Sequence, residues 1–424
     1  MLQLNYIRDN KENVLKRLAI KNFKDAEAVI DSVIEKDNLR KATQKQTDDT
    51  KAEANVLARQ IGDLMKAGNR EEAEAMKLKT AELKNNEKLL DEKLKVIEQE
   101  VHNLLVTVPN LPHLSVPAGN SPEENLVMLE EGVKPKLYDG AKPHWELTSK
   151  YDIIDFELGV KLTGAGFPVY KGKGARLQRA LINFFLDKAT ASGYKEVQPP
   201  ILVNQDSGYG TGQLPDKEGQ MYYVAEDNLY LIPTAEVPIT NIYRDVILKE
   251  SDLPILNCGY TPCFRREAGS YGKDVRGLNR LHQFDKVEIV QIAHPQESYE
   301  ILEQMLKHSA DLLRDLELPF RVLKLCGGDM SFGSAMTYDL EVWSAAQQRW
   351  LEVSSVSNFE TFQTNRLKCR YKDEKGKTQL AHSLNGSALA LPRIVAALLE
   401  NNQTENGIKI PKAVAAYCGF DMIN

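Results

Sequence analysis

Two short stretches decide the fold of this chain: Phe264-Arg265-Arg266-Glu267, and Leu281-His282-Gln283-Phe284-Asp285-Lys286-Val287-Glu288. The second stretch alternates apolar and polar residues, which is the pattern of a half-buried β-strand. A loop rich in glycine and charge separates the two, so together they predict an antiparallel hairpin that presents two cations and an acid on one face. Arginine binds phosphate and carboxylate groups bidentately. The hairpin therefore suits a polyphosphate nucleotide, and the chain completes neither a Walker nor a Rossmann glycine motif.

Length and composition bound the possibilities. The 424 residues exceed what one compact core usually holds, so two domains are expected. Hydrophobic residues make up 42% and charged residues 27%, which is ordinary for a globular protein. The formal net charge is −6, so any nucleic-acid partner would have to meet a local basic surface.

The N-terminus and the cysteines predict a cytoplasmic protein. Residues 1–10 carry charge and lack an apolar signal region, and no segment has the roughly 18 apolar residues of a membrane span. The five cysteines form no Cys-x-x-Cys pair. Free buried thiols in a reducing compartment are therefore favoured over a zinc site.

The first 105 residues have a composition of their own. They contain no proline and only two glycines, Gly62 and Gly68. Apolar residues of the second half recur at steps of seven, or of four and three, as in a coiled coil. They are Met76, Leu83, Leu90, Leu94, Ile97, Val101 and Leu104. In the first half, Ala54, Leu57, Ile61 and Leu64 keep this register, Val29, Val33 and Leu39 hint at it, and residues 40–53 are nearly all polar.

A turn at residues 66–70 separates these two helical halves. Gly68 and Asn69 can adopt the positive φ that such a turn uses. Helices joined so tightly must run antiparallel, and the second, at residues 71–104, would be roughly 50 Å long at 1.5 Å per residue. From the heptads alone, a coiled coil that mediates dimerisation is an equally good interpretation.

The chain changes character at Pro109-Asn110-Leu111-Pro112. From there, short β-rich runs such as residues 229–232, 286–292 and 350–354 alternate with amphipathic helices at 176–191 and 298–316. This mixture without regular β-α-β spacing predicts an α+β fold with an antiparallel sheet. The predicted domains are residues 1–107 and 108–424, with a linker at 108–120.

A second group of polar residues could hold a metal ion. Leu351-Glu352-Val353-Ser354-Ser355 puts a carboxylate and hydroxyls at the end of a predicted strand. Mg²⁺ prefers such oxygen ligands, shared with nucleotide phosphates. Glu352 and Ser355 would face opposite ways on an ideal strand, so joint metal binding requires a bend. The alternative is a plain strand with one exposed acid.

Two further segments carry candidate binding residues. Arg393 follows Pro392 in the predicted first turn of a helix, where proline is tolerated, and could reach a γ-phosphate; otherwise it is a surface arginine. Thr234-Ala235-Glu236 would place a hydroxyl and a carboxylate on one face of an extended chain, suited to an ammonium group. Glu288 could accept a hydrogen bond from a substrate hydroxyl and so reject analogues without one.

These segments resemble those of a known family. The opening stretches resemble motif 2 of the class II aminoacyl-tRNA synthetases, and His-Gln-Phe-x-Lys-Val-Glu resembles the seryl-tRNA synthetases in particular. Residues 193–200 resemble motif 1, which in that family helps to form the dimer, and the run ending in Arg393 resembles motif 3. Thr234-Ala235-Glu236 resembles the family's serine-binding Thr-x-Glu. The likeness covers essentially the whole chain, although Ala388 and Pro392 stand where bacterial relatives have glycines.

The resemblance implies a serine–tRNA ligase that uses ATP to form seryl-adenylate and then loads tRNA(Ser), and tRNA(Sec) where that tRNA exists. It implies catalytic roles for Arg265, Glu352 and Arg393, and a Mg²⁺ ion held by Glu352 and Ser355. The implied serine-binding residues are Thr234, Ala235, Glu236, Arg265, Glu288 and Ser387. The implied ATP-binding residues are Arg265, Arg266, Glu267, Phe284, Glu352, Val353, Ser354, Ser355 and Arg393.

The resemblance also assigns individual roles and partners. Arg265 would bridge the serine carboxylate and the α-phosphate, Glu267 would accept a hydrogen bond from the adenine amino group, and Phe284 would stack on the base. The loop at residues 268–279 would guide the acceptor end of the tRNA. The protein would be a homodimer whose helical arm binds the long variable arm of the tRNA. Candidate contacts on that arm are Lys41, Lys45, Lys51, Arg59 and Arg70.

Two other functions remain to be weighed. One is a ligase that adenylates a different amino acid and loads a carrier other than tRNA, which predicts loss of the heptad arm or a changed Thr-Ala-Glu segment. The other is a non-enzymatic RNA-binding relative, which predicts eroded nucleotide-binding residues. The chain retains the arm, Thr234-Ala235-Glu236, and Arg265, Glu267, Glu352 and Arg393.

Overall fold

The computed structural model describes residues 1–216, 218–267 and 276–424. These residues form two compact units: Met1–Ala19 with Phe23–Pro109, and Ile20–Asn22 with Asn110–Asn424. The helices are α1 (Leu4–Asp9), α2 (Lys11–Ile20), α3 (Ala26–Lys66), α4 (Arg70–Leu105), α5 (His144–Lys150), α6 (Phe156–Leu162), α7 (Gly172–Ala191), α8 (Gln205–Thr211), α9 (Glu236–Asn241), α10 (Ser298–Asp315), α11 (Thr361–Leu367), α12 (Leu391–Asn401) and α13 (Lys412–Cys418).

The strands belong to the second unit. They are β1 (Leu126–Glu131), β2 (Ile154–Asp155), β3 (Val169–Tyr170), β4 (Lys195–Glu196), β5 (Leu202–Val203), β6 (Tyr223–Val224), β7 (Leu229–Leu231), β8 (Ile247–Lys249), β9 (Ile255–Phe264), β10 (Gln283–Ala293), β11 (Phe320–Lys324), β12 (Met336–Ser344), β13 (Arg349–Asn358), β14 (Arg370–Lys372), β15 (Thr378–Leu380), β16 (His382–Ala390), β17 (Gln403–Thr404), β18 (Gly407–Lys409) and β19 (Met422–Ile423).

In the first unit, α3 and α4 form the predicted antiparallel helical pair. Ion pairs between the two helices join Lys36 to Glu100, Lys51 to Asp91 and Lys79 to Glu53. Along α3, from Lys36 through Lys51 to Glu53, the partners on α4 run backwards in sequence, from Glu100 through Asp91 to Lys79. Antiparallel helices require this order. The repeat is therefore satisfied within one chain, and dimerisation is not needed to explain it.

The polar stretch of α3 continues the buried seam with hydroxyl groups. Thr43 and Thr47 are buried, and the Thr47 hydroxyl donates to the Thr43 carbonyl within the helix. Because that bond satisfies the hydroxyl locally, a threonine can replace an apolar residue there. The prediction that Leu39 belongs to the buried seam is wrong, because Leu39 is 40% exposed. Asp37, two residues earlier, is buried instead.

Asp37 remains buried because cations from two helices surround it. Arg40 donates to Oδ1 at 2.8 Å and Lys41 lies 2.9 Å from Oδ2, while Arg8 of α1 lies 3.7 Å from the same oxygen. A buried carboxylate needs such pairing to offset its lost hydration. A periodicity that counts only apolar residues cannot detect this position.

The second unit is built on an eight-stranded sheet in the order β1-β11-β12-β13-β16-β10-β9-β4. Its neighbouring strands are antiparallel except β4, which lies at the edge and pairs in parallel with β9. The predicted α+β fold is confirmed. The helices α7, α10 and α12 pack against this sheet and bury large apolar residues such as Phe185, Met305 and Leu399.

Strand β10 shows how the sheet separates core from site. Its residues Val287 and Ile289 are fully buried in the main hydrophobic core. The alternate residues Lys286 and Glu288 face the other way, because side chains alternate along a strand. One sheet face is therefore committed to packing, and the polar groups of the hairpin gather on the opposite face.

A bulge interrupts the pairing of β12 with β13. Leu340 pairs with Ser354 but Glu341 pairs with Glu352, so Val353 is an extra residue on its strand. An extra residue reverses the alternation on one side of the bulge. This is the bend that Glu352 and Ser355 need in order to share a face.

Candidate active site

The predicted hairpin is present as β9 and β10. These strands pair antiparallel from Phe264 opposite Gln283 to Ile255 opposite Ile292. Just beyond β9, the Arg265 backbone N–H donates to the His282 carbonyl at 2.9 Å. Residues 268–275 of the loop expected to guide the acceptor end lie outside the described residues.

The two arginines of the hairpin are held by backbone carbonyls and aromatic rings. Arg265 donates from Nε to the Pro233 carbonyl at 3.3 Å, and its guanidinium carbon lies 5.2 Å from the Phe284 ring centre. Arg266 donates to the Met221 carbonyl at 3.2 Å and lies 5.0 Å from the ring centre of Tyr222. Each guanidinium keeps donors for an anionic ligand, because these bonds use only Nε.

Glu267 is ion-paired in this structure. Its Oε2 accepts a hydrogen bond from Nε of Arg280, at the other end of the loop. The side chain of Glu267 is 12% exposed. One carboxylate oxygen thus ties the two ends of the loop, and a carboxylate has lone pairs enough to accept further hydrogen bonds.

Arg393 lies in the first turn of α12, after Pro392, as the sequence predicts. Its Nε donates to the Asn279 carbonyl at 2.8 Å, and its Nη1 donates to the Glu352 carbonyl at 2.9 Å. The same nitrogen lies 3.8 Å from Glu352 Oε2. The motif 3 arginine is therefore brought beside the candidate metal ligand.

Glu352 and Ser355 line one cavity of about 500 Å³. Asp339, Glu341 and Arg321 line it as well, and Arg321 is ion-paired with Glu341. The other two predicted nucleotide contacts on β13 point elsewhere: Val353 is 1% exposed within the core, and Ser354 donates its hydroxyl to the Ser387 carbonyl. Neither of these two side chains is therefore directed into the cavity.

Asp339 lies opposite Ser355 on the neighbouring strand. Its Oδ1 is buried and has no hydrogen-bond partner among the described residues. Burial, together with the nearby charge of Glu352, raises the pKa of Asp339 well above its ordinary value. The nearby Glu352 carboxylate repels the buried carboxylate of Asp339, and a cation would remove that repulsion.

The Thr-Ala-Glu segment has a different local structure from the predicted one. The expectation of an extended chain at Thr234 and Glu236 is wrong, because Glu236 is the first residue of α9. The Thr234 hydroxyl accepts a hydrogen bond from the Glu236 N–H at 3.2 Å. A hydroxyl that satisfies a free N–H at a helix start favours the helix over the strand. Thr234 and Glu236 are 5% and 6% exposed.

A chain of two hydrogen bonds holds the Glu236 side chain in place. Gln363 donates to its Oε1 at 2.6 Å, and Ser383 donates to Gln363 Oε1 at 2.7 Å. Burial and the charge of Glu288 raise the pKa of Glu236 to about 7, although Gln363 and Lys286 oppose the shift. This carboxylate would gain from a cationic ligand group nearby.

Glu288 lies directly opposite Ser387 across β10 and β16. The Ser387 hydroxyl donates to its Oε2 at 3.4 Å, and Lys286 Nζ lies 2.8 Å from the same oxygen. Glu288 and Lys286 are 2% and 6% exposed. The structure thus brings together Glu236, Glu288 and Ser387 from three separate segments of sequence.

Sequence reasoning missed several polar residues of this site. Lys286 could have been found, since it alternates with Glu288 on one predicted strand. Gln363 and Asp339 belong to no recognised motif, and only the tertiary fold brings them to the site.

The sheet and its site define a class of enzyme. Residues 222–402 match a family model described as the tRNA synthetase class II core domain (G, H, P, S and T). Residues 1–112 match the seryl-tRNA synthetase N-terminal domain. The catalytic unit is therefore that of a class II aminoacyl-tRNA synthetase.

Full-length relatives narrow the class to one family. The chain is 50% identical over 425 residues to a serine–tRNA ligase of Salinibacter ruber, covering 100% of this chain and 99% of that protein. The seryl-tRNA synthetase of Pyrococcus horikoshii complexed with ATP superimposes with a TM-score of 0.92 at 32% identity, over 100% and 99% of the two chains. For a cytoplasmic serine–tRNA ligase of Naegleria fowleri in complex with AMP, the TM-score is 0.88 at 25% identity over the same shares. This chain belongs to the seryl-tRNA synthetase family and is a serine–tRNA ligase.

These findings contradict both alternative functions, a ligase for another amino acid and carrier, and a non-enzymatic RNA-binding relative. The N-terminal match covers the helical arm, and the full-length relatives from Salinibacter ruber and Chlorobaculum parvum are serine–tRNA ligases. Among the helices that the structure describes, none is long and apolar enough to cross a membrane. The cysteines Cys258, Cys263, Cys326, Cys369 and Cys418 are free and buried.

The raised pKa of Glu236 predicts a pH-dependent stability. In the unfolded chain, Glu236 loses its proton above the ordinary pKa of 4.5, whereas in the folded protein it keeps the proton up to about pH 7. The stability of the folded protein should therefore fall as the pH rises from 4.5 towards about 7. A pKa rise of this size corresponds to roughly 3 kcal/mol of stability. Glu236→Gln should remove this loss and gain stability relative to the wild type between pH 5 and pH 8.

Urea unfolding followed by tryptophan fluorescence measures this gain in the second unit, because Trp145, Trp343 and Trp350 all lie there. Exposed Glu226→Gln is the control and should follow the wild type at both pH values. An equal stability difference between Glu236→Gln and the wild type at pH 5 and pH 8 would contradict the raised pKa.

Proposed function

We propose that this serine–tRNA ligase joins serine to ATP on the polar face of the sheet, with the residues described above in defined roles. The observation that carries the proposal is the position of Arg265. It donates to the carbonyl of Pro233, next to Thr234, and its guanidinium lies against Phe284. The same side chain can therefore meet the serine carboxylate on one side and the α-phosphate of a stacked nucleotide on the other.

Serine would bind beside the buried carboxylates of Glu236 and Glu288, a site called the acidic pocket below. Glu236 offers a carboxylate to the substrate ammonium group, and Glu288 and Ser387 offer polar atoms to the substrate hydroxyl, with Thr234 and Ala235 forming the wall. The carboxylate of serine would then attack the α-phosphorus in line, and pyrophosphate would leave. The residues act by positioning and by electrostatic stabilisation, so no nucleophilic side chain is required.

ATP would bind along the arginines. Arg266 and Arg393 offer guanidinium donors to the phosphates, Phe284 stacks on the adenine, and Glu267 accepts a hydrogen bond from its amino group. The support for Arg393 is its contact with the Glu352 backbone at 2.9 Å, which holds it at the edge of the acidic cavity. Charge developing on the departing pyrophosphate would be met by a fixed cation.

The residues of this cavity fit a Mg²⁺ ion. Glu352 and Ser355 supply oxygen ligands on one face because of the bulge at Val353, and the unpartnered Asp339 Oδ1 beside them could accept from a metal-bound water. Mg²⁺ keeps several waters and binds through one or two carboxylates plus phosphates. When bound, the ion would neutralise phosphate charge during adenylate formation.

The second half-reaction needs the tRNA. The 3′-terminal hydroxyl of tRNA(Ser) would attack the acyl carbon of seryl-adenylate and release AMP.

The unit built around α3 and α4 would bind the tRNA, within the predicted domain of residues 1–107. Lys45, Arg59 and Arg70 are the best candidates on the arm, because they are exposed and take part in no ion pair among the described residues. Lys41 and Lys51 are already paired with acids.

The remaining proposals follow the family. Motif 1, residues 193–200, contains the sheet edge strand β4 and would contribute to a homodimer, since an unpaired sheet edge is a common site of association. The protein would work in the cytoplasm.

Amino-acid-dependent exchange of pyrophosphate into ATP tests the specificity. We expect exchange with serine to exceed exchange with alanine at least about a hundredfold in kcat/KM, because alanine leaves buried polar groups unpaired. Threonine and cysteine complete the comparison. Preference for one of the other amino acids would contradict the serine pocket, and exchange with none would contradict the adenylation proposal.

Charge reversal on the arm tests tRNA binding. The double variant Lys45→Glu/Arg59→Glu should raise the KM for tRNA about tenfold or more at 0.1 M salt, because cations that meet phosphates are lost. Serine-dependent pyrophosphate exchange should remain at the wild-type rate. The matched control is Asp49→Lys, an exposed acid on the same helix, which should not raise the KM. Unchanged tRNA charging by the double variant would refute these contacts.

A further inference from the structure

Behind the proposed ATP site lies a fully buried histidine–glutamate pair. His144 is the first residue of α5 and Glu400 lies near the end of α12. His144 Nδ1 is 2.7 Å from Glu400 Oε1, and neither side chain has exposed surface. None of the motifs that define the site includes either residue.

Its hydrogen bonds define the histidine tautomer. The backbone N–H of Leu278 donates to His144 Nε2 at 2.9 Å, so this nitrogen carries a lone pair. The proton must then be on Nδ1, which donates to Glu400. Burial alone would raise the pKa of Glu400, but hydrogen bonds from His144 and Ser344 outweigh it and hold that pKa below its ordinary value.

The His144–Glu400 pair contacts residues 276–278, at the end of the loop between the two motif 2 stretches. Gly277 has φ of +64° and lies against the imidazole ring so closely that a Cβ there would collide with Nε2. Its neighbour Arg276 places its guanidinium carbon 4.6 Å from the ring centre of Trp145, the residue after His144. His144 and Trp145 together hold three consecutive residues, Arg276, Gly277 and Leu278.

A second path closes the network. Gln347 donates to Glu400 Oε1 at 3.1 Å, and its own Oε1 accepts from Asn279 Nδ2 at 3.0 Å. Glu400 is thus tied to the loop end twice, through His144 to Leu278 and through Gln347 to Asn279. A closed ring of hydrogen bonds fixes position more strongly than a single bond.

The next contact along the chain reaches the proposed chemistry. The carbonyl of Asn279 accepts the hydrogen bond from Arg393 Nε at 2.8 Å. Arg393 and Glu400 lie seven residues apart on α12, which is about two turns. The helix that carries the arginine therefore also carries the acid that anchors the arginine's acceptor.

We propose that His144 is a positioning residue, which with Glu400 and Gln347 fixes residues 276–279 so that the Asn279 carbonyl holds the Arg393 guanidinium in its ATP-binding orientation. This inference rests on the proposed role of Arg393. A purely structural role explains the cluster less well, because burying the Glu400 carboxylate carries a desolvation cost that apolar packing of the same volume would avoid.

Two substitutions of His144 separate its two contacts. His144→Gln can put its amide oxygen near the place of Nε2 and still accept from Leu278. His144→Asn is one bond shorter, so it can keep the contact with Glu400 but not that with Leu278. By calorimetry, His144→Asn should weaken ATP binding about tenfold and His144→Gln no more than about threefold, as expected for one lost hydrogen bond. Serine affinity should stay at the wild-type value in both.

A double-mutant cycle with Arg393→Ala distinguishes positioning from general loss of structure. If His144 acts through Arg393, His144→Asn should weaken ATP binding no more than about twofold further when Arg393 is already alanine. If His144→Asn fails to fold, Gln347→Ala at a partly exposed position breaks the ring at its other side and should give the same coupling with Arg393.

The outcomes that overturn the inference are distinct. Equal weakening by the asparagine and glutamine variants, or a His144→Asn effect that persists in full without Arg393, would refute positioning. If Arg393→Ala weakens ATP binding but His144→Asn does not, this inference alone is wrong. If Arg393→Ala leaves ATP affinity unchanged, the proposed role of Arg393 is wrong and the positioning role falls with it.

Discussion

The site depends on charged groups that are buried on one face of a sheet. Glu236 and Glu288 are each at least 94% buried, and their mutual repulsion adds to the cost of desolvation. Lys286, Gln363 and Ser387 offset part of that cost by ion pairing and hydrogen bonding. In the proposed function, these carboxylates gain from a ligand that carries a cation and a hydroxyl, as serine does.

The opposite face of the same sheet makes this arrangement stable. Val287 and Ile289 of β10 lie in the apolar core, against which α7 and α12 pack. The bulge at Val353 turns Glu352 and Ser355, the two predicted Mg²⁺ ligands, to the same side of β13. Packing, strand register and chemistry are therefore set by the same strands.

Periodic features were predictable from sequence, and contacts between distant segments were not. The hairpin and the pair of long helices follow from alternation and heptads, which are local. The same reasoning misjudged Leu39 and Thr234, where a buried Asp37 and a helix start took precedence. His144 and Glu400 lie 256 residues apart, and no spacing rule links them.

A crystal structure with a non-hydrolysable seryl-adenylate analogue and Mg²⁺ tests the central claim most directly. We expect the seryl ammonium and hydroxyl groups within about 3 Å of Glu236 and Glu288, with the guanidinium of Arg265 on the phosphate mimic. An analogue bound elsewhere, with the acidic pocket empty and the arginines directed to solvent, would contradict the account.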